Sequence, residues 1–206
     1  MPCPNSGRPL CDVSEYDEDC DFRRSCKLIG APKRPLRYQG FVIPNKGVNH
    51  MVPHKELLQE LHEIARTGAS VQSVMEQIAK RLHEKMTRYN WVGFYLVDPA
   101  DAGYLIVGPF AGSFTPNARI PLNRGLCGAA ATSGQTVVVQ DVSKDPRYLS
   151  GSSIVKSEIV VPIFVKKKLA AELDIESYFA DSFPKAEQEF VEACATVVAD
   201  YLGAVS

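Results

Sequence analysis

The chain has 206 residues, with 45% hydrophobic and 23% charged residues, the composition of an ordinary globular protein. A formal net charge of -1 argues against a partner held through bulk charge, so neither nucleic acid nor an anionic membrane surface is expected. No apolar run reaches the roughly 18 residues of a membrane helix, and the first 30 residues carry six acids with no apolar core of a secretory signal. A cytoplasmic protein with reduced thiols is the expectation.

Residues 1–54 differ from the rest. They hold four of the six cysteines and seven of the fourteen prolines, with six acids between Asp12 and Asp21 and six bases between Arg23 and Arg37. Apolar periodicity is absent, which predicts a flexible arm ahead of a domain over 55–206. The arm cysteines Cys3, Cys11, Cys20 and Cys26 lack the C-x-x-C spacing of a zinc knuckle.

From Lys55 the patterns become regular. Leu57, Leu58, Leu61, Ile64 and Ala65 form one helical stripe over Lys55–Arg66. Ser70 is placed to cap a second helix, whose stripe runs through Val71, Val74, Met75, Ile78, Ala79, Leu82 and Met86. Trp91–Val97 is apolar on both faces and predicts a central strand; Tyr104–Phe110 follows as its hairpin partner. A short helix is predicted over Leu126–Ser133, opened by Gly125 and closed by Gly134, and then a short strand over Thr136–Val139. Asp141–Ser153 has loop composition. Ile159–Val165 and Leu169–Ser177 read as strands joined by a basic tip, Lys166–Lys168, and Pro184–Leu202 as the closing helix.

This order predicts an α+β domain: an antiparallel sheet of about five to six strands, the two early helices and the last one on one face, and a loop-covered ligand pocket on the other. All four histidines precede the sheet, so no histidine-based triad or axial haem ligand is expected in the pocket.

Several polar residues sit where that pocket should lie. Cys127 falls in the first turn of the short helix, where free N–H groups and the helix dipole lower a thiol pKa; the plainer alternative is a small buried core thiol. Glu158 opens an apolar strand, where a partly buried carboxyl can serve as an acid. Asp174 and Glu176 are two apart, hence on one strand face. That face is either the pocket, where a ligand ammonium would balance them, or a solvated surface paired with Lys166–Lys168. Trp91 and Tyr95 share a face and would wall an apolar, sulfur-bearing group, or simply fill the core.

Six motifs occur in order: Trp91-Val92-Gly93-Phe94-Tyr95-Leu96, Gly108-Pro109-Phe110, Arg119-Ile120-Pro121, Gly125-Leu126-Cys127-Gly128, Ser157-Glu158-Ile159-Val160-Val161-Pro162 and Leu173-Asp174-Ile175-Glu176-Ser177. Together they resemble the free methionine-(R)-sulfoxide reductase branch of the GAF domains, over roughly 55–203. The resemblance implies a GAF fold and thiol-dependent reduction of free methionine-(R)-sulfoxide, with Cys127 as nucleophile and Glu158 as acid. Trp91, Tyr95, Asp174 and Glu176 would bind the substrate or a similar small zwitterion. It implies no metal and no tightly bound cofactor, only an external reductant, thioredoxin-like or a small thiol. Members of the branch usually carry three cysteines. Here Cys127 holds the middle position, Asn117 or Ala118 stands near the first and Gly151 near the third. Two further readings stay open beside the enzyme: a noncatalytic module sensing a small molecule, and a thiol redox sensor. The oligomeric state is open too, a homodimer among the states allowed.

Overall fold

The computed structural model describes residues 54–113 and 117–205. The arm expected over 1–54 lies outside the described residues, except for His54, which opens the first helix. Four helices and six strands follow: α1 His54–Thr67, α2 Val71–Lys85, β1 Trp91–Val97, β2 Tyr104–Gly112, β3 Arg119–Pro121, α3 Gly125–Ser133, β4 Val137–Val139, β5 Ser157–Val165, β6 Lys168–Ser177 and α4 Lys185–Val205. The predicted elements are all present within a few residues. Ser70 caps α2 by accepting a hydrogen bond from the Ser73 N–H at 3.2 Å. Gly134 closes α3 in the left-handed conformation, which a residue without a Cβ adopts without penalty.

The strands form one antiparallel sheet in the order β3-β2-β1-β6-β5-β4. β3 is an addition to the predicted set, since Arg119–Pro121 is too short to show a period. β5 and β6 join through Lys166 and Lys167, both at positive φ (49° and 66°), the two-residue turn whose twist matches the flanking strands.

Pairing register sorts the side chains of the central strands. Val92, Phe94, Ile159, Val161, Ile163, Ala171, Leu173 and Ile175 face α1, α2 and α4, where they pack with Leu57, Leu61, Ile78, Leu82, Phe190, Val191 and Val198. This is the larger core, and truncating one of its leucines to alanine should cost about 2–5 kcal/mol. Cys194 belongs to it. A buried polar tie fastens the end of this layer: the Tyr89 hydroxyl donates to Glu187 Oε1 at 2.7 Å, and His54 Nε2 lies 3.0 Å from Glu187 Oε2 with its ring stacked on Phe190.

The opposite face carries a second, smaller cluster with Trp91, Tyr95, Leu105, Ile120, Leu126, Cys127, Val139 and Val160. α3 and the loop between β4 and β5 cover it, Tyr148 and Leu149 packing down from that loop. Helices on one face and loops on the other match the sequence expectation. No helix among the described residues is long and apolar enough to cross a membrane.

Candidate functional site

Residues directly opposite each other in a ladder point to the same side. Trp91 pairs with Glu176, Gly93 with Asp174 and Tyr95 with Glu172. Across β6, Glu158 pairs with Glu176, Val160 with Asp174 and Pro162 with Glu172. Four acids therefore stand on the face under α3, all buried: Glu158 is 5% exposed, Glu172 0%, Asp174 3% and Glu176 7%. The outer-face alternative for Asp174 and Glu176, with Lys166–Lys168 as partners, is excluded.

α3 supplies the thiol. Gly125 enters the helix at φ +75°, a left-handed conformation that favours glycine, with the Leu149 side chain packed close above it. A Cβ on Gly128 would press on the Leu122 carbonyl oxygen at 3.0 Å, so this glycine lets α3 lie close to the preceding segment. Cys127, between them, points down at the sheet. Its Sγ donates a long hydrogen bond to Asp174 Oδ2 at 3.6 Å. One donor atom each from Cys127, Glu158 and Asp174 lie within 4.8 Å of one another.

These groups surround a closed cavity of about 20 Å³, bounded by Tyr95, Asn117, Ile120, Gly125, Leu126, Cys127, Leu149, Glu158, Asp174 and Glu176. It has room for one water-sized occupant. No lysine, arginine or histidine is among its lining residues. Asp174 Oδ1 and Glu176 Oε2 have no hydrogen-bond partner among the described residues.

Burial without a cation sets the protonation states. Glu172 is pushed up to about 8 by desolvation, with the Cys127 thiol and the Ala131 N–H pulling in the opposite direction. Asp174 and Glu176 are raised by burial and by the neighbouring carboxyls. Glu158 is raised well above the ordinary range by burial and then by Asp174, Glu176 and Glu172. Burial and mutual repulsion thus favour the protonated form of these carboxyls, Glu158 among them.

Two expectations need correction. The helix start was expected to lower the Cys127 pKa. Instead burial pushes the thiol well above its ordinary value, and Asp174, Glu172 and Glu158 add to the rise. Desolvation and negative neighbours outweigh the partial charge of a nine-residue helix. Trp91 was expected to wall the pocket beside Tyr95. It is fully buried, its ring stacked on Phe110 at 5.6 Å and tilted against Tyr95 at 6.3 Å, and it backs the cavity wall without forming it. Tyr95 itself does line the cavity, its hydroxyl donating to the Asn117 carbonyl at 3.0 Å.

The sequence reading missed Glu172, although it shares the two-residue period of Asp174 and Glu176. It also missed Leu149 as a covering residue, and it placed Asn117 only near a cysteine position of the family, not in the cavity wall.

Comparison with known proteins agrees with this geometry. The GAF domain family matches residues 70–202. Protein YtsP of Bacillus subtilis is 34% identical over 110 residues, 53% of this chain and 66% of that protein. A free methionine-R-sulfoxide reductase of Saccharomyces cerevisiae is 36% identical over 110 residues, 53% of this chain and 61% of that protein. The matched stretch thus spans less than two thirds of either relative. The crystal structure of a free methionine-R-sulfoxide reductase from Neisseria meningitidis with its substrate superposes with a TM-score of 0.69 at 32% identity, covering 73% of this chain and 89% of that one. With its antiparallel sheet, its helical layer and a pocket under a Gly-Leu-Cys-Gly helix, the chain belongs to the GAF domain family, in the branch that includes proteins named free methionine-R-sulfoxide reductases.

Proposed function

We propose that the chain binds free methionine-(R)-sulfoxide in this cavity and reduces it to methionine through Cys127, with an external thiol as reductant. The observation that carries the reading is the Cys127–Asp174 hydrogen bond, set in a cavity lined by acids and no bases. An amino-acid ammonium would supply the missing positive charge, with Glu176 and Asp174 as its partners. Tyr95 would lie against the methylthio end.

The chemistry follows from what each group can hold. With the ligand ammonium holding Asp174 ionised, Asp174 takes the thiol proton, and the thiolate attacks the sulfoxide sulfur. Protonated Glu158 donates to the oxygen as the sulfur–oxygen bond breaks. The hydroxide so released attacks Cys127 Sγ and breaks the new sulfur–sulfur bond, so methionine leaves with that bond's electron pair and Cys127 keeps the oxygen as a sulfenic acid. Two equivalents of an external thiol, or one dithiol, then return the thiol and release water and a disulfide. Burial, with the acids around it, keeps the thiol protonated in the ligand-free protein, and a ligand ammonium would lower that barrier, so thiolate would form on binding and not before. The cavity is far smaller than an amino acid, so entry requires the loop carrying Leu149 to swing outward.

One observation favours a second reading, a binding module without turnover. Cys194, the other described cysteine of the domain, is buried in the core on the far side of the sheet and cannot reach Cys127. Binding and turnover assays with both sulfoxide epimers of free methionine, with dithiothreitol and with thioredoxin, decide between the two. Turnover of the R epimer supports the reductase. Binding with no turnover by either thiol supports the module.

A further inference from the structure

We propose that Cys127, Glu158 and Asp174 form a binding site for a divalent transition-metal ion of the zinc class. The inference goes beyond sulfoxide reduction and does not depend on it.

Three rigid elements, α3, β5 and β6, each present one donor to a common point, with one donor atom from each residue within 4.8 Å of the others. The Cys127 Sγ to Asp174 Oδ2 separation, 3.6 Å, already matches a tetrahedral edge. Zinc–sulfur and zinc–oxygen bonds of about 2.0–2.3 Å put neighbouring ligand atoms about 3.5 Å apart. The remaining donor has to close in by about an ångström, within the reach of a carboxylate rotation.

A second observation, carried by Glu176 outside the donor cluster and by the free oxygen of Asp174, also points to a cation. Asp174 Oδ1 and Glu176 Oε2 belong to side chains more than nine-tenths buried on the cavity wall, and neither has a partner among the described residues. Buried carboxylate oxygens are paired, protonated or metal-bound. No basic side chain lines the cavity, and its volume of about 20 Å³ suits a single ion.

The donor set selects the metal. Magnesium and calcium require oxygen ligands and would leave the thiol unused. One sulfur with two carboxylate oxygens suits a borderline ion such as zinc, three protein ligands leaving the fourth position to water or an incoming ligand. On binding, the Cys127 proton leaves to solvent and the thiolate bonds the ion. Because the ion takes the sulfur that sulfoxide chemistry needs, the metal-bound form would be inactive as a reductase.

Cobalt(II) tests this without any assay of turnover. The full-length chain carrying Cys3→Ser, Cys11→Ser, Cys20→Ser and Cys26→Ser removes competing arm thiols, and Cys194 sits in the other core. Titration should produce a near-ultraviolet thiolate-to-cobalt band that saturates at a single equivalent and is displaced by zinc. Cys127→Ser should abolish the band. Glu158→Gln, which keeps the side-chain shape, should weaken binding by about tenfold or more while circular dichroism stays native. A folded protein that gives no such band, or a band that survives Cys127→Ser, overturns the site.

Discussion

The indole of Trp91 lies across Gly93, two residues along the same strand. A Cβ added to Gly93 would overlap Cη2 of that ring and sit 2.6 Å from Cζ2. Trp91 is fully buried, held by Phe110 on one side and Tyr95 on the other, and has no room to retreat. Gly93→Ala should therefore cost about 1–3 kcal/mol, the range for overpacking a filled core. A denaturant midpoint identical to that of the unaltered chain would refute this packing.

Asp174 faces the cavity with one unpartnered oxygen, so replacing it should separate binding from stability. Asp174→Asn should weaken binding of the amino-acid ligand by about 1–3 kcal/mol, the scale of a hydrogen bond to a charged group. It should not lower the thermal midpoint at pH 8, since the neutral amide needs no buried charge. Calorimetry and thermal melts on one preparation check both halves. Unchanged affinity would remove Asp174 from the binding groups.

The buried acids fix the sign of the pH dependence. A carboxyl whose folded pKa is raised binds more protons in the folded state than in the unfolded chain between the two values. Stability then falls as pH rises through that window. Glu172, raised from 4.5 to about 8, sets the window, and Glu158, Asp174 and Glu176 shift in the same direction. The ligand-free protein should melt at a lower temperature at about pH 8 than at about pH 5, and Glu172→Gln should flatten part of that slope. Melting that rises steadily across this range would contradict the placement of the acids.

Cys127→Ser should abolish sulfoxide turnover and spare ligand binding, because serine cannot attack the sulfoxide sulfur while the carboxyls remain. In the unaltered chain, one turnover without reductant should leave a sulfenic acid that a trapping reagent labels, the one exception being a disulfide to an arm cysteine, Cys3, Cys11, Cys20 or Cys26, which mass spectrometry distinguishes. Cys194 lies across the sheet and offers no second thiol. Full activity in Cys127→Ser, read by methionine release, would end the nucleophile assignment.

The helical layer was legible in the sequence because its burial is periodic. The stripes of α1, α2 and α4 repeat over three or more turns, and Ser70 and Gly134 mark ends by local chemistry alone. β3 was not legible, since three residues carry no period and its partner is set by β2. The two-residue spacing of Asp174 and Glu176 gave their shared face, whereas Glu172, at the same spacing, was not singled out and emerged only from the strand pairing. The Cys127 pKa went the wrong way for a different reason. The helix start is a local fact, but burial under Leu149 and the approach of Asp174 come from distant parts of the chain. Trp91 kept its predicted face, yet the space over Gly93, where its ring lies, shows only in three dimensions.

The sheet works as a bulkhead. Its helix side holds the fold through Leu61, Ile78, Phe94, Leu173 and Val198, and none of these touches the acid-lined chamber beyond. Exchanges on the chamber side, such as Asp174→Asn or Glu172→Gln, leave the anchoring side as it was. A lineage can thus retool the chamber while inheriting the hull, and laboratory variation confined to that side should yield folded proteins with altered ligands.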